Sequence, residues 1–123
     1  MEVLAARVLL HPLDMARSIA FYRDVLGLAV AREFPGGTVF FLGGGHLELS
    51  GAADEPAGPA VALWLQVRDL AAAHAELAEH VVREPRQEPW GLHEMWVADP
   101  DGTRIVLVEV PADHPIRRDQ RTL

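Results

Sequence analysis

The chain has 123 residues, 18 acidic against 11 basic side chains, a formal net charge of −7 and 50% hydrophobic residues, which fits one compact domain and argues against a nucleic-acid partner, since phosphate binding needs clustered positive charge. It contains no Cys, no Lys and no Asn, and this excludes disulfides, thiolate nucleophiles, Cys-ligated zinc, iron–sulfur clusters, Schiff-base lysines and a P-loop lysine. Met1–Arg7 carries an early acid and no long apolar run, and no stretch reaches the roughly 18 apolar residues of a membrane span, so no membrane partner and a cytoplasmic location are expected.

Val3 to His11 is a strand-like apolar run ending at Pro12. Asp14 is an N-cap candidate and Gly27 a C-cap candidate for one amphipathic helix, in which Met15, Ile19, Tyr22, Val25 and Leu26 recur at three- and four-residue spacing. Leu28–Phe34, Thr38–Leu42 and His46–Ser50 read as strands separated by Pro35-Gly36-Gly37 and Gly43-Gly44-Gly45. Residues 51–59, rich in Ala, Gly and Pro, form a linker. The order then repeats: a strand over Ala60–Val67, a helix from Asp69 to about His80, a strand over Val81–Glu84, a Pro-bearing loop, and strands over His93–Ala98 and Thr103–Val110 joined by the turn Asp99-Pro100-Asp101-Gly102. The reading is α+β: two tandem βαβββ modules, about 1–50 and 60–110, forming a curved, cleft-bearing mixed sheet, followed by a polar tail over 111–123.

Two segments carry a family resemblance. Arg17-Ser18-Ile19-Ala20-Phe21-Tyr22-Arg23-Asp24-Val25-Leu26-Gly27-Leu28 resembles the first-helix signature of the vicinal oxygen chelate superfamily, which includes glyoxalase I, fosfomycin-resistance proteins, extradiol dioxygenases and bleomycin-binding proteins. Asp99-Pro100-Asp101-Gly102-Thr103-Arg104-Ile105-Val106-Leu107-Val108-Glu109 resembles its final hairpin. The fold hosts several chemistries, so function has to be argued from the site.

Metal-using members of that superfamily place ligands at positions that correspond here to Arg7, Glu48, Ala62 and Val106. Only Glu48 can bind a metal, whereas a catalytic ion needs three protein donors, and Arg7 would place a positive charge beside it. No metal and no cofactor are therefore expected.

Strand alternation, with the ligand positions taken as inward, lines the cleft with Arg7, Leu9, His11, His46, Glu48, Ala62, Trp64, Gln66, Glu94, Trp96, Arg104, Val106 and Val108. Indole faces suit a planar ligand, and Glu48 and Glu94 can hold a cation or accept hydrogen bonds. Each residue also has a structural reading. Trp64 and Trp96 can fill the sheet mouth, Glu48 can pair with Arg7, His11 can cap a strand end, and His46 can simply be solvated. His74 and His80, six apart, do not share a helix face.

Ala62-Leu63-Trp64-Leu65-Gln66-Val67-Arg68-Asp69-Leu70 and Glu88-Pro89-Trp90-Gly91 resemble segments of bleomycin-resistance proteins. That resemblance implies a homodimer and a metal-free, non-enzymatic protein that sequesters a small aromatic ligand, an antibiotic or a metabolite. The expected contacts are Arg7, His11, His46, Glu48, Trp64, Gln66, Glu94, Trp96 and Arg104, with Trp90 closing over the ligand. The alternatives are a glyoxalase-like lyase or isomerase, or a dioxygenase-related enzyme, with a non-standard metal or an acid–base site built from Glu48 or Glu94 with His11 or His46. A third is an interaction module with a vestigial cleft.

Overall fold

The computed structural model describes residues 1–118. The expected order βαβββ–βαβββ is present. The strands are β1 (Arg7–Leu10), β2 (Val30–Phe34), β3 (Gly37–Leu42), β4 (Gly45–Ser50), β5 (Ala62–Gln66), β6 (Val81–Gln87), β7 (His93–Ala98) and β8 (Arg104–Glu109), and the helices are α1 (Met15–Ala20) and α2 (Leu70–Glu76). Each module builds its own four-stranded mixed sheet, in the orders β1-β4-β3-β2 and β5-β8-β7-β6. In both, the first strand pairs in parallel with the last and the remaining pairs are antiparallel. By contacts the chain divides into two units, residues 1–61 with the 99–103 turn, and the remainder.

In the first unit the carboxylate of Asp14 accepts from Arg17 N and starts α1. The single helix expected over 14–27 is in fact two pieces, because Phe21–Val25 is π-helical, with Leu26 N bonded to Phe21 O at 3.0 Å. The wider turn lets Phe21 and Tyr22 both point inward, and the two rings meet edge to face at 5.2 Å. Phe40, Leu47 and Leu49 bury the sheet face that α1 covers. A Cβ at Gly37 would lie 2.5 Å from Leu49 O, so β3 and β4 approach closely only because that position is glycine.

In the second unit Asp69 repeats the cap, accepting from Ala72 N at 3.0 Å, and α2 packs on β6, β7 and β8. Leu63, Leu70, Leu77, Met95, Val97, Ile105 and Leu107 form the core beneath it, each contributing about 1.5–3 kcal/mol by burial. The strand expected to stop at Glu84 continues through Pro85 to Gln87. An edge strand with two register shifts tolerates the missing N–H. Within the tail, Pro115–Arg118 form a 3-10 turn, and Ile116 packs against the cluster of Leu92, Val108 and Val110. The rest of the expected tail, 119–123, lies outside the described residues.

Candidate functional site

Each sheet has one face turned to its helix and one turned away, and register decides which side chains share the second. On the first sheet Arg7 pairs with His46 and Leu9 with Glu48 across β1 and β4. Phe41, opposite His46 on β3, brings its ring 5.4 Å from the imidazole and stays 51% exposed. Arg7 Nη1 donates to Glu48 Oε1 at 2.7 Å, and Ser50 Oγ donates to Oε2 at 2.9 Å. The Arg7 hydrogen bond, then that of Ser50, holds the Glu48 carboxyl below its ordinary value against the opposing effect of burial. His11 Nδ1 lies 2.6 Å from Ser50 O. A proton shuttle between Glu48 and an imidazole therefore finds Glu48 and His11 engaged with other partners.

On the second sheet one row runs Trp64–Val106–Trp96–Arg83 across β5, β8, β7 and β6, and the next runs Gln66–Val108–Glu94–Arg86. Alternation thus brings Trp64, Gln66, Glu94, Trp96 and Arg104 to one face. Trp64, on the edge strand, remains 47% exposed. Trp96 is not a bare platform: the guanidiniums of Arg83 and Arg104, from the strands on either side, lie 4.2 and 4.5 Å from its ring. Glu94 is buried and accepts from Trp90 Nε1 at 2.8 Å. Trp90 is exposed, and its carbonyl accepts from His114 Nε2 at 2.7 Å where Gly91, at φ +95°, turns the chain. Glu48 thus carries a donor on each carboxylate oxygen, and Glu94 carries one on Oε2.

Sequence reasoning missed three residues here. Glu88, taken as part of a loop, is buried and pairs with both Arg83 and Arg86. Burial pushes its carboxyl up, and the two guanidiniums outweigh that and hold it below the ordinary value. Arg83 joins the site only because the shifts in β6 bring it opposite Trp96. Ile116 packs on the Leu92, Val108 and Val110 cluster at one end of the face. Beside α2 lies a separate cavity of about 360 Å³ lined by Leu70, Ala71, His74, Pro85, Arg86, His93 and Glu109.

A family model described as the Glyoxalase/Bleomycin resistance protein/Dioxygenase superfamily matches residues 6–107. The chain belongs to this superfamily. Solved structures agree on the fold. A protein of unknown function from Agrobacterium tumefaciens str. C58 is 24% identical, covering 90% of this chain and 95% of that one, with TM-score 0.73. A member of the glyoxalase/bleomycin resistance protein/dioxygenase superfamily from Sphaerobacter thermophilus is 22% identical, covering 88% and 98%, with TM-score 0.75. A lactoylglutathione lyase from Agrobacterium tumefaciens is 23% identical, covering 89% and 94%, with TM-score 0.66. No curated protein matches.

The superfamily's metal does not fit this donor set. Of Arg7, Glu48, Ala62 and Val106 only Glu48 is a donor, and a guanidinium and a hydroxyl already occupy its two oxygens. Among the described residues no three His, Asp or Glu side chains are grouped as metal ligands.

Proposed function

We propose that this superfamily member is a metal-free binding protein that captures a small aromatic molecule, an antibiotic or a metabolite, on the face of its second sheet turned away from α2. The observation that carries the reading is Trp64, an indole left 47% exposed on a face whose neighbours Val106 and Trp96 extend the same surface. Covering about 100 Å² of indole contributes about 2–3 kcal/mol, enough to anchor a planar ring. Gln66 and Arg104 share the face and supply polar contacts, while Trp90, tethered to Glu94, stands at its rim. On the first sheet Phe41 and His46 form a second aromatic surface, which Arg7, Glu48 and His11 border. A homodimer, which the resemblance implies, belongs to the same reading, and sedimentation of the purified protein as monomer alone would remove that part.

Thermal unfolding with a bleomycin-class antibiotic and a panel of aromatic natural products tests the reading. A ligand at a hundredfold excess over its Kd stabilises the folded state by about 2.7 kcal/mol, so a binder raises Tm by several degrees in the native protein and not in Trp64→Ala. No shift from any compound, or an equal shift in Trp64→Ala, would overturn it.

A further inference from the structure

We propose that Arg104, Trp96 and Arg83 form an oxyanion subsite, so that the aromatic ligand carries a carboxylate or phosphate group. This deepens the aromatic-ligand reading and rests on it. Three buried side-chain N–H groups on this one face, Arg83 Nε, Trp96 Nε1 and Arg104 Nε, have no acceptor among the described residues. Buried donors are almost always paired, and leaving one unpaired costs free energy, so three around a single indole point to an acceptor supplied from outside.

The charges say what kind of acceptor. Arg83 pairs with Glu88, and its Nη2 also donates to Glu94 O at 3.1 Å. Arg86 shares Glu88. Glu94 is taken by Trp90. The Arg104 guanidinium has neither an ion pair nor a side-chain hydrogen bond among the described residues, and it stacks on the Trp96 ring. Arg83, Arg86 and Arg104 against Glu88 and Glu94 leave one positive charge in a chain whose net charge is −7. A guanidinium stacked on an indole uses its flat face and leaves its in-plane N–H fork for a planar oxyanion. Trp64 lies opposite Val106, two residues along β8 from Arg104, and Val106 lies opposite Trp96, so Trp64 and the Trp96–Arg104 stack occupy adjacent positions on one face. A single ligand with its ring on Trp64 can therefore reach Arg104 with an acid group.

Fluorescence titration with 2-naphthoate, 2-naphthamide and 2-naphthylmethylammonium, which share one ring system, reads the charge preference. The naphthoate should bind at least tenfold more tightly than either of the others. Arg104→Gln and Trp96→Phe should each shrink that ratio, and Arg104→Lys, which keeps the charge without the planar fork, should shrink it less than Arg104→Gln. Equal affinity for the three probes, or a ratio unchanged in Arg104→Gln and Trp96→Phe, would overturn the subsite while leaving aromatic binding intact. Inorganic phosphate carries the charge without a ring. It should raise Tm in the native protein and less in Arg104→Gln, so a subsite without aromatic binding would show as a phosphate response with no naphthalene response. No phosphate response together with no naphthoate preference would overturn the subsite.

Discussion

Tyr22 is fully buried, and its hydroxyl donates to Asp99 Oδ2 at 2.7 Å. Oδ1 of the same carboxylate accepts from the amides of Asp101 and Thr103 and closes the turn. Burial first, and then the charge of Asp99, pushes the Tyr22 phenol far above the ordinary tyrosine range, which keeps it a donor to Asp99 at neutral pH. Tyr22→Phe should cost about 1–3 kcal/mol in urea unfolding, because a buried carboxylate oxygen loses its partner. The same turn was legible as Asp-Pro-Asp-Gly, but its tie to Tyr22 was not, since 77 residues separate the partners. Glu88 makes a comparable case. It sits between Gln87 and Pro89 and looks like a solvated loop acid, yet Arg83 and Arg86 make its burial possible. Its carboxyl is held below the ordinary value of 4.5. A depressed carboxyl contributes stability that is fully present above the unfolded-state pKa and is lost as pH falls through the folded one. Acid unfolding of Glu88→Gln should therefore show a lower Tm near neutrality and a smaller further loss below about pH 4.5 than the native protein.

The elements were easiest to foresee where a local signal settles them. Asp14 and Asp69 both cap as their positions before amphipathic runs imply. Asp69→Ala should lower stability by about 1 kcal/mol in thermal or chemical unfolding, as the loss of an N-cap does. Strand β7 runs over the expected residues, His93–Ala98, because Gly91 before it and the Asp99-Pro100-Asp101-Gly102 turn after it bound the run. The sequence predicts that strand β6 stops at Glu84 because Pro breaks most strands, and its continuation to Gln87 follows from the edge position and the register shifts. Those shifts also explain why Arg83 was missing from the expected face, since counting by twos fails across a bulge. Part of the tail proved to belong to the second unit's packing: Arg117 donates to Pro111 O at 3.0 Å, and Ile116 packs on Leu92, Val108 and Val110. Ile116→Ala should cost about 1–2 kcal/mol, fitting a partly buried aliphatic side chain. An unchanged urea midpoint would show that the segment does not contribute to the folded state.

At the scale of the molecule, the tandem order of two βαβββ modules was readable because capping and turn residues mark each element, and the superfamily match over residues 6–107 agrees with it. The candidate face was readable in part. Alternation placed Trp64, Glu94, Trp96 and Arg104 together, whereas the occupancy of their polar atoms depends on side-chain partners that no spacing reveals. The expected emphasis on carboxylates shifts accordingly. Glu48 and Glu94 are already paired, and the groups left without partners are N–H donors. The net charge of −7 is thus a property of the whole chain that the candidate face does not share. The most direct test of metal-free aromatic binding is a tryptophan-fluorescence titration of chelator-treated protein with 2-naphthoate. The account predicts saturable quenching that persists without metal and is lost in Trp64→Ala. Quenching that appears only after zinc, nickel, manganese or iron is added back, or none at all, would contradict it.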